Sequence, residues 1–202
     1  MNMGIFVKSF EAPCTDRREI LRYAGAAEGD QRINDLLDSC IAESSARLKY
    51  AVCYTELPIR VDGDVIDLSF IKVRSHSLSL NLSGCESIIL FCATVGVNMD
   101  RLIAKYSSLS PARATLLQAI GSERVEALCN EFCRLIGDDL SADGYKLRPR
   151  FSPGYGDLDI SIQREIFDVL DPAKRIGVSL NDNMMMSPSK SVTAIIGIEK
   201  VK

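Results

Sequence analysis

From Pro111 to Gly137 an apolar stripe of Leu116, Leu117, Ile120, Leu128, Phe132, Leu135 and Ile136 keeps near-helical spacing. It predicts one long helix that forms the spine of the fold. Ser110-Pro111 offers an N-cap residue followed by a first-turn proline, and Gly137 marks the far end. Gly121 falls inside the stripe, where it costs about 1 kcal/mol relative to alanine and invites a bend.

Around that spine the period changes. Ile5 to Phe10 alternates as a strand, and Asp16 with Glu19 three residues on starts a short helix to Gly25. Ile33, Leu36, Leu37, Cys40, Ile41 and Leu48 give a second helix from Asp30 to about Tyr50. Cys53 to Val61 and Val65 to Val73 are β-branched and flank Asp62-Gly63, a hairpin signal that puts Ile66, Leu68 and Phe70 on one face. Ser75 to Cys85 reads as a short helix and loop, and Ser87 to Ala93 as a buried strand, since it is apolar almost throughout.

Met99, Leu102, Ile103 and Tyr106 outline a further amphipathic helix. Ile162, Ile166, Phe167 and Leu170 form a late one that Asp171-Pro172 stops. Ile176 to Leu180 and Ser191 to Ile198 read as strands, the second with Val192, Ala194, Ile196 and Ile198 on one face. Helices and antiparallel strands come in blocks without βαβ alternation, so the expected class is α+β, an antiparallel or mixed sheet with flanking helices in a single domain spanning 1–202.

Composition narrows the function classes. Lys+Arg 24 against Asp+Glu 27 leaves a net charge of −3, which suggests neither nucleic acid nor an anionic membrane as partner. The start, Met1 to Lys8, lacks the pattern of a signal peptide, and the longest apolar run, Ile88 to Val97, is far short of the ~20 residues that span a bilayer. A cytoplasmic location is expected. Seven cysteines, an odd number among apolar neighbours, fit reduced and mostly buried thiols. With no CxxC pair and His76 the only histidine, no metal site is expected.

No nucleotide-binding glycine loop, nucleophile elbow or His-Glu-x-x-His occurs, and no catalytic residue is assigned. His76 sits in Arg74-Ser75-His76-Ser77, beside hydroxyls that suit a structural imidazole. The stretch richest in chemistry is Arg150-Phe151-Ser152-Pro153-Gly154-Tyr155-Gly156-Asp157. It places a planar cation, a Pro-Gly turn with exposed backbone groups and an aromatic face close together, which suits a small zwitterion with a carboxylate, a cation and a flat ring. Spacing alone leaves Arg150 open to a structural pair with Asp157 or Asp159, and Tyr155 to a half-buried turn position. Glu126, between apolar positions of the long helix, could meet a ligand ammonium or be an i,i+4 surface charge. Met184 to Met186 could form an adaptable contact surface or fill the core.

At these residues the chain resembles the activation domain of cobalamin-dependent methionine synthase. Arg150 to Tyr155 is similar to that family's Arg-Pro-Ala-Pro-Gly-Tyr loop, Met186-Ser-Pro-Ser-Lys-Ser-Val192 to its Met-Trp-Pro-x-x-Ser-Val segment, and Arg124-Val-Glu-Ala to part of its long helix. The resemblance implies a site for S-adenosylmethionine. Arg150 would take the methionyl carboxylate, Ser152 would present backbone groups on the Pro153-Gly154 turn, Tyr155 would line the pocket, and Glu126 would lie near the amino group. The family's loop continues Pro-Ala-Cys-Pro where this chain has Gly156-Asp157-Leu158-Asp159, and a further C-terminal region with another ligand-contacting tyrosine has no counterpart before Lys202.

The Asp-x-His-x-x-Gly stretch that supplies the lower ligand in many corrinoid carriers is also absent, so cobalamin is expected on a partner. The resemblance then implies a role in trans, as part of a methyltransferase activity. On a separate methionine synthase chain, an electron from a flavodoxin-like donor reduces cob(II)alamin, and the methyl of S-adenosylmethionine follows. A corrinoid-docking module without ligand binding and a cobalamin-independent small-molecule methyltransferase are the alternatives.

Overall fold

The structure, a computed structural model, describes residues 4–27 and 29–201. Met1 to Met3, where the reading of the N-terminus begins, lie outside them. The chain runs β1 (Phe6–Phe10), α1 (Arg17–Ala24), α2 (Gln31–Ser45), β2 (Tyr50–Pro58), β3 (Arg60–Asp62), β4 (Val65–Asp67), β5 (Lys72–Arg74), α3 (His76–Asn81) and β6 (Cys85–Thr94). It continues with α4 (Asn98–Leu109), α5 (Pro111–Ser141), β7 (Tyr145–Leu147), a 3-10 turn (Ile160–Ile162), α6 (Gln163–Leu170), α7 (Pro172–Ile176), β8 (Ser179–Leu180), β9 (Met186–Ser187) and β10 (Ser191–Lys200). The class is α+β.

Five strands pair in the order β1-β2-β6-β10-β7, every neighbour antiparallel. Period-two alternation sends Ile89, Phe91 and Ala93 of β6, with Ala194, Ile196 and Ile198 of β10, into a core beneath α1, α2, α4 and α5. The intervening Ile88, Leu90, Cys92 and Ile195 face a second core, closed by α3, α6 and the small β3-β4-β5 sheet. Both faces are therefore buried, which explains why β6 reads as an almost unbroken apolar run. Phe132 of α5 lies fully buried against Phe91 and Tyr54, at ring-centre distances of 5.0 and 5.1 Å.

The spine helix runs through Gly121 and beyond Gly137 to Ser141. Gly121 is there for close approach: a Cβ would stand 2.8 Å from side-chain carbons of both Lys190 and Met99. Ser110 occupies the N-cap position of α5, but its side chain makes no capping hydrogen bond. By contrast Asp16 caps α1 as expected, accepting from the backbone N–H groups of Arg18 and Glu19, and Gly25 closes that helix at φ +64.

Four expectations are corrected. Helix α2 stops at Ser45, not near Tyr50, because Tyr50 pairs with Phe10 in the sheet. The strand expected over 53–61 is divided: β2 ends at Pro58 in the large sheet, and β3 turns into the small one. The second expected strand breaks at Leu68–Ile71, where Ser69 takes φ +72 and its N–H bonds the Asp67 carboxylate. The Asp62-Gly63 hairpin does form, with Val61 opposite Ile66. Finally, the strand expected over 176–180 shrinks to Ser179–Leu180, since Pro172 starts the additional helix α7 rather than ending all helical structure.

All seven cysteines are free; Cys40, Cys53, Cys92 and Cys129 are buried, Cys85 and Cys133 half-buried and Cys14 exposed. Among the described residues no helix is long and apolar enough to cross a membrane.

Candidate functional site

Residues 148 to 151 extend along the β10 edge: Arg148 N–H donates to Gly197 O, and Phe151 and Ile195 exchange both backbone hydrogen bonds at 2.9 Å. This extended run aims Arg150 at α5. The chain then turns at Ser152-Pro153-Gly154-Tyr155, closed by Tyr155 N–H to Ser152 O at 3.1 Å, with proline second and Gly154 third at φ +84. That is the geometry of a type II turn, which requires a positive φ at its third residue. Pro153 is buried beneath the turn and Gly154 packs on Ile160, so both shape the loop while Tyr155 stands exposed above it.

Arg150, Ser152, Tyr155, Glu126 and Val192 line one hollow of about 160 Å³. Four of the sequence-predicted residues thus meet; Pro153 and Gly154 support the site without lining it. The Arg150 guanidinium donates to Glu126 Oε2 and to Asn130 Oδ1, both at 2.9 Å. The structural pair anticipated with Asp157 or Asp159 does not form, because those carboxylates accept hydrogen bonds elsewhere, Asp157 from α3 and Asp159 from Ser161 N–H. Burial disfavours the Arg150 charge, yet Glu126 and the surrounding thiols outweigh it, the thiols only at the high pH where they ionise, and its pKa lies above the ordinary arginine value. Burial pushes the neighbouring Cys129 thiol up to about 12, so it sits beside the cation as a neutral group.

Two larger hollows flank the first. One of about 480 Å³ shares Glu126 and is bordered by Tyr23, Asp16, Glu19, Glu131 and Arg134. The other, about 750 Å³ and more open, shares Arg150 and carries Arg134 and Arg148 without a carboxylate in its wall.

Behind the first of these hollows lies an ion pair that sequence reasoning missed. Arg124 donates twice to the adjacent Glu123 at 2.5 Å, and also to the carbonyls of Pro13 at 2.6 Å and Cys14 at 2.7 Å. Glu123 accepts in turn from Asp16 N–H at 3.0 Å. The network pins the β1–α1 connection to the spine helix. Asn130 was missed as well; its one signal is its place a turn beyond Glu126 on the same helix.

A family model described as vitamin B12 dependent methionine synthase, activation domain, matches residues 80–200. The chain belongs to that family. The match takes in Glu126, the Arg150 loop and Val192 of this activation domain. Among solved structures it is similar to the MetH reactivation domain bound to AdoHcy, with a TM-score of 0.69 at 15% identity over 96% of this chain and 78% of the other. That likeness extends the activation-domain fold to the N-terminal half, which the family model leaves unmatched. No curated protein matches the sequence.

Proposed function

We propose that this activation domain binds S-adenosylmethionine through Arg150, Glu126, Ser152 and Tyr155, and presents its methyl group to cobalamin carried by a separate methionine synthase chain. The observation that carries the reading is the single-contact pair between Arg150 and Glu126 inside the hollow. An α-amino acid zwitterion is its complement: the carboxylate takes the guanidinium, the ammonium takes Glu126, and neither side chain is left without a partner. The Tyr155 ring adds a face for the sulfonium. The AdoHcy held by the similar solved structure supports the same ligand class.

The hollow of about 160 Å³ is smaller than the roughly 300–1,000 Å³ of small-molecule sites, so it suits the methionyl end alone. The adenosyl end extends toward the hollow that shares Glu126, where Tyr23 offers a ring and Asp16, Glu19 and Glu131 outnumber Arg134; the opposite hollow has Arg134 and Arg148 and no carboxylate in its wall.

The domain's contribution is positioning, and no acid or base is asked of it. The partner's cobalamin, reduced by one electron from a flavodoxin-like donor, would supply the nucleophile that accepts the methyl group, and S-adenosylhomocysteine would remain on Arg150 and Glu126 as the leaving product. The absence of an Asp-x-His-x-x-Gly stretch from these residues supports a corrinoid held elsewhere. Isothermal titration with S-adenosylhomocysteine tests the first step: wild type gives a saturable heat that Arg150→Ala loses. Equal heats from both would show that Arg150 does not hold the ligand, and none from either would leave the docking-module reading in its place.

A further inference from the structure

We infer that Asp157 is a positioning residue for this site: by capping α3 it latches the Arg150 loop in the shape that places Ser152 and Tyr155 around the hollow. The inference rests on the ligand reading proposed above. Asp157 Oδ1 accepts from Ser75 Oγ at 2.5 Å and Ser77 N–H at 3.1 Å, and Oδ2 accepts from His76 N–H at 2.7 Å. One carboxylate thus takes the first two backbone N–H groups of α3, 81 and 80 residues away in sequence, while Ser75 Oγ accepts from Leu78 N–H. These hydrogen bonds, led by that from Ser75, hold its pKa well below the usual carboxylate range, so the latch stays charged in mild acid.

The contact is close as well as polar. Gly156 takes φ +56, and a Cβ there would stand 2.8 Å from Ser77 Oγ, so the preceding residue has to be glycine for the carboxylate to reach. The other end of α3 holds the other end of the loop, through Asn81 Nδ2 to Pro149 O at 3.2 Å. Helix α3 is itself fixed to the small sheet by Ser75 N–H to Asp64 O at 2.9 Å. The loop between these grips bears both Arg150 and Tyr155. Gly156-Asp157 is also where this chain departs from the family's Pro-Ala-Cys-Pro, so the departure replaces one means of holding the loop with another.

The test combines hydrogen exchange on the ligand-free protein with titration by S-adenosylhomocysteine. In Asp157→Ala the amides of Gly154, Tyr155 and Leu158, each hydrogen-bonded within the loop, exchange at least ~10-fold faster while α5 amides keep their protection, and affinity falls at least ~10-fold. Asp157→Asn falls between wild type and alanine in both, since its single carbonyl oxygen can accept from only part of the donor set that the two carboxylate oxygens share. Asp30→Ala removes the cap of α2 and serves as a control: it lowers the melting temperature and leaves affinity unchanged. Unchanged loop exchange in Asp157→Ala would overturn the latch. Faster exchange with unchanged affinity would overturn its positioning role, and so would Asp157→Asn binding as poorly as the alanine variant. A wild type that gives no heat removes the ligand reading and the positioning role together, while the exchange rates still decide whether the latch exists.

Discussion

Two carboxylate–guanidinium pairs have their carboxylates, Glu123 and Glu126, within a turn of each other on the spine helix, and they differ in almost everything that decides what a pair is for. The side chains of Arg124 and Glu123 are 4% and 5% exposed, and they are engaged by each other, by backbone of the β1–α1 connection and by Tyr50. Those of Arg150 and Glu126 are 23% and 44% exposed, meet through one contact, with Asn130 as the guanidinium's other side-chain partner, and border a hollow. A pair closed on all sides holds structure together; a pair with free valence beside a hollow can exchange its partner for a ligand's charges.

The largest effect that can break this contrast is on stability. Arg124→Ala leaves Glu123 buried without its cation and should lower unfolding free energy by about 3–5 kcal/mol in denaturant titration. Arg150→Ala should change it by less than about 1 kcal/mol, since Glu126 can turn to water. Similar losses for the two variants would erase the distinction. On binding the order reverses: Arg150→Ala should weaken S-adenosylhomocysteine about 100-fold or more, the loss of a charge-assisted fork worth roughly 3 kcal/mol. A smaller change sharpens the picture at the far end of the ligand, where Tyr23→Ala should cost about 10-fold in affinity through the lost ring face and leave the melting temperature nearly unchanged.

A third cluster, on the far side of the same core, predicts a pH effect that leaves the site untouched. Glu43 of α2 accepts from Lys105 at 3.0 Å, Tyr106 at 2.9 Å and Arg113 at 3.1 Å, joining α2, α4 and α5. The Lys105 hydrogen bond leads the causes that lower its pKa from an ordinary 4.5 to about 2. A carboxylate depressed on folding contributes stability that is fully present above the unfolded value and lost as pH falls through the folded one. The contribution should therefore fade between about pH 4.5 and 2. Glu43→Gln should flatten that part of an acid-unfolding curve, and an unchanged slope would count against the cluster.

What could be read in advance follows the same division. The spine helix and the β6 and β10 strands were legible because their apolar periodicity reports burial directly. Arg150, Ser152 and Tyr155 were legible because a short loop carries them all, and Glu126 because the resemblance extends along the helix. The Glu123–Arg124 pair was not: neighbours on a helix seldom face each other, and its remaining partners come from Pro13, Cys14 and Asp16, more than 100 residues away. Asp157 reads in sequence as a departure from the family loop or as a pair for Arg150, because the groups it binds, Ser75 to Ser77, lie on a distant helix start. The split of the expected strands at Pro58 and Ser69 was hidden because apolar alternation runs through both breaks, while hydrogen bonding to different sheets separates them.

The most direct measurement is a crystal structure of the protein with S-adenosylhomocysteine. The account predicts the ligand carboxylate on Arg150 and its amino group on Glu126, the pair between those two side chains parted, and the adenosyl end leading toward Tyr23. A ligand bound elsewhere, or one seated here with the contact between Arg150 and Glu126 unbroken, would contradict it.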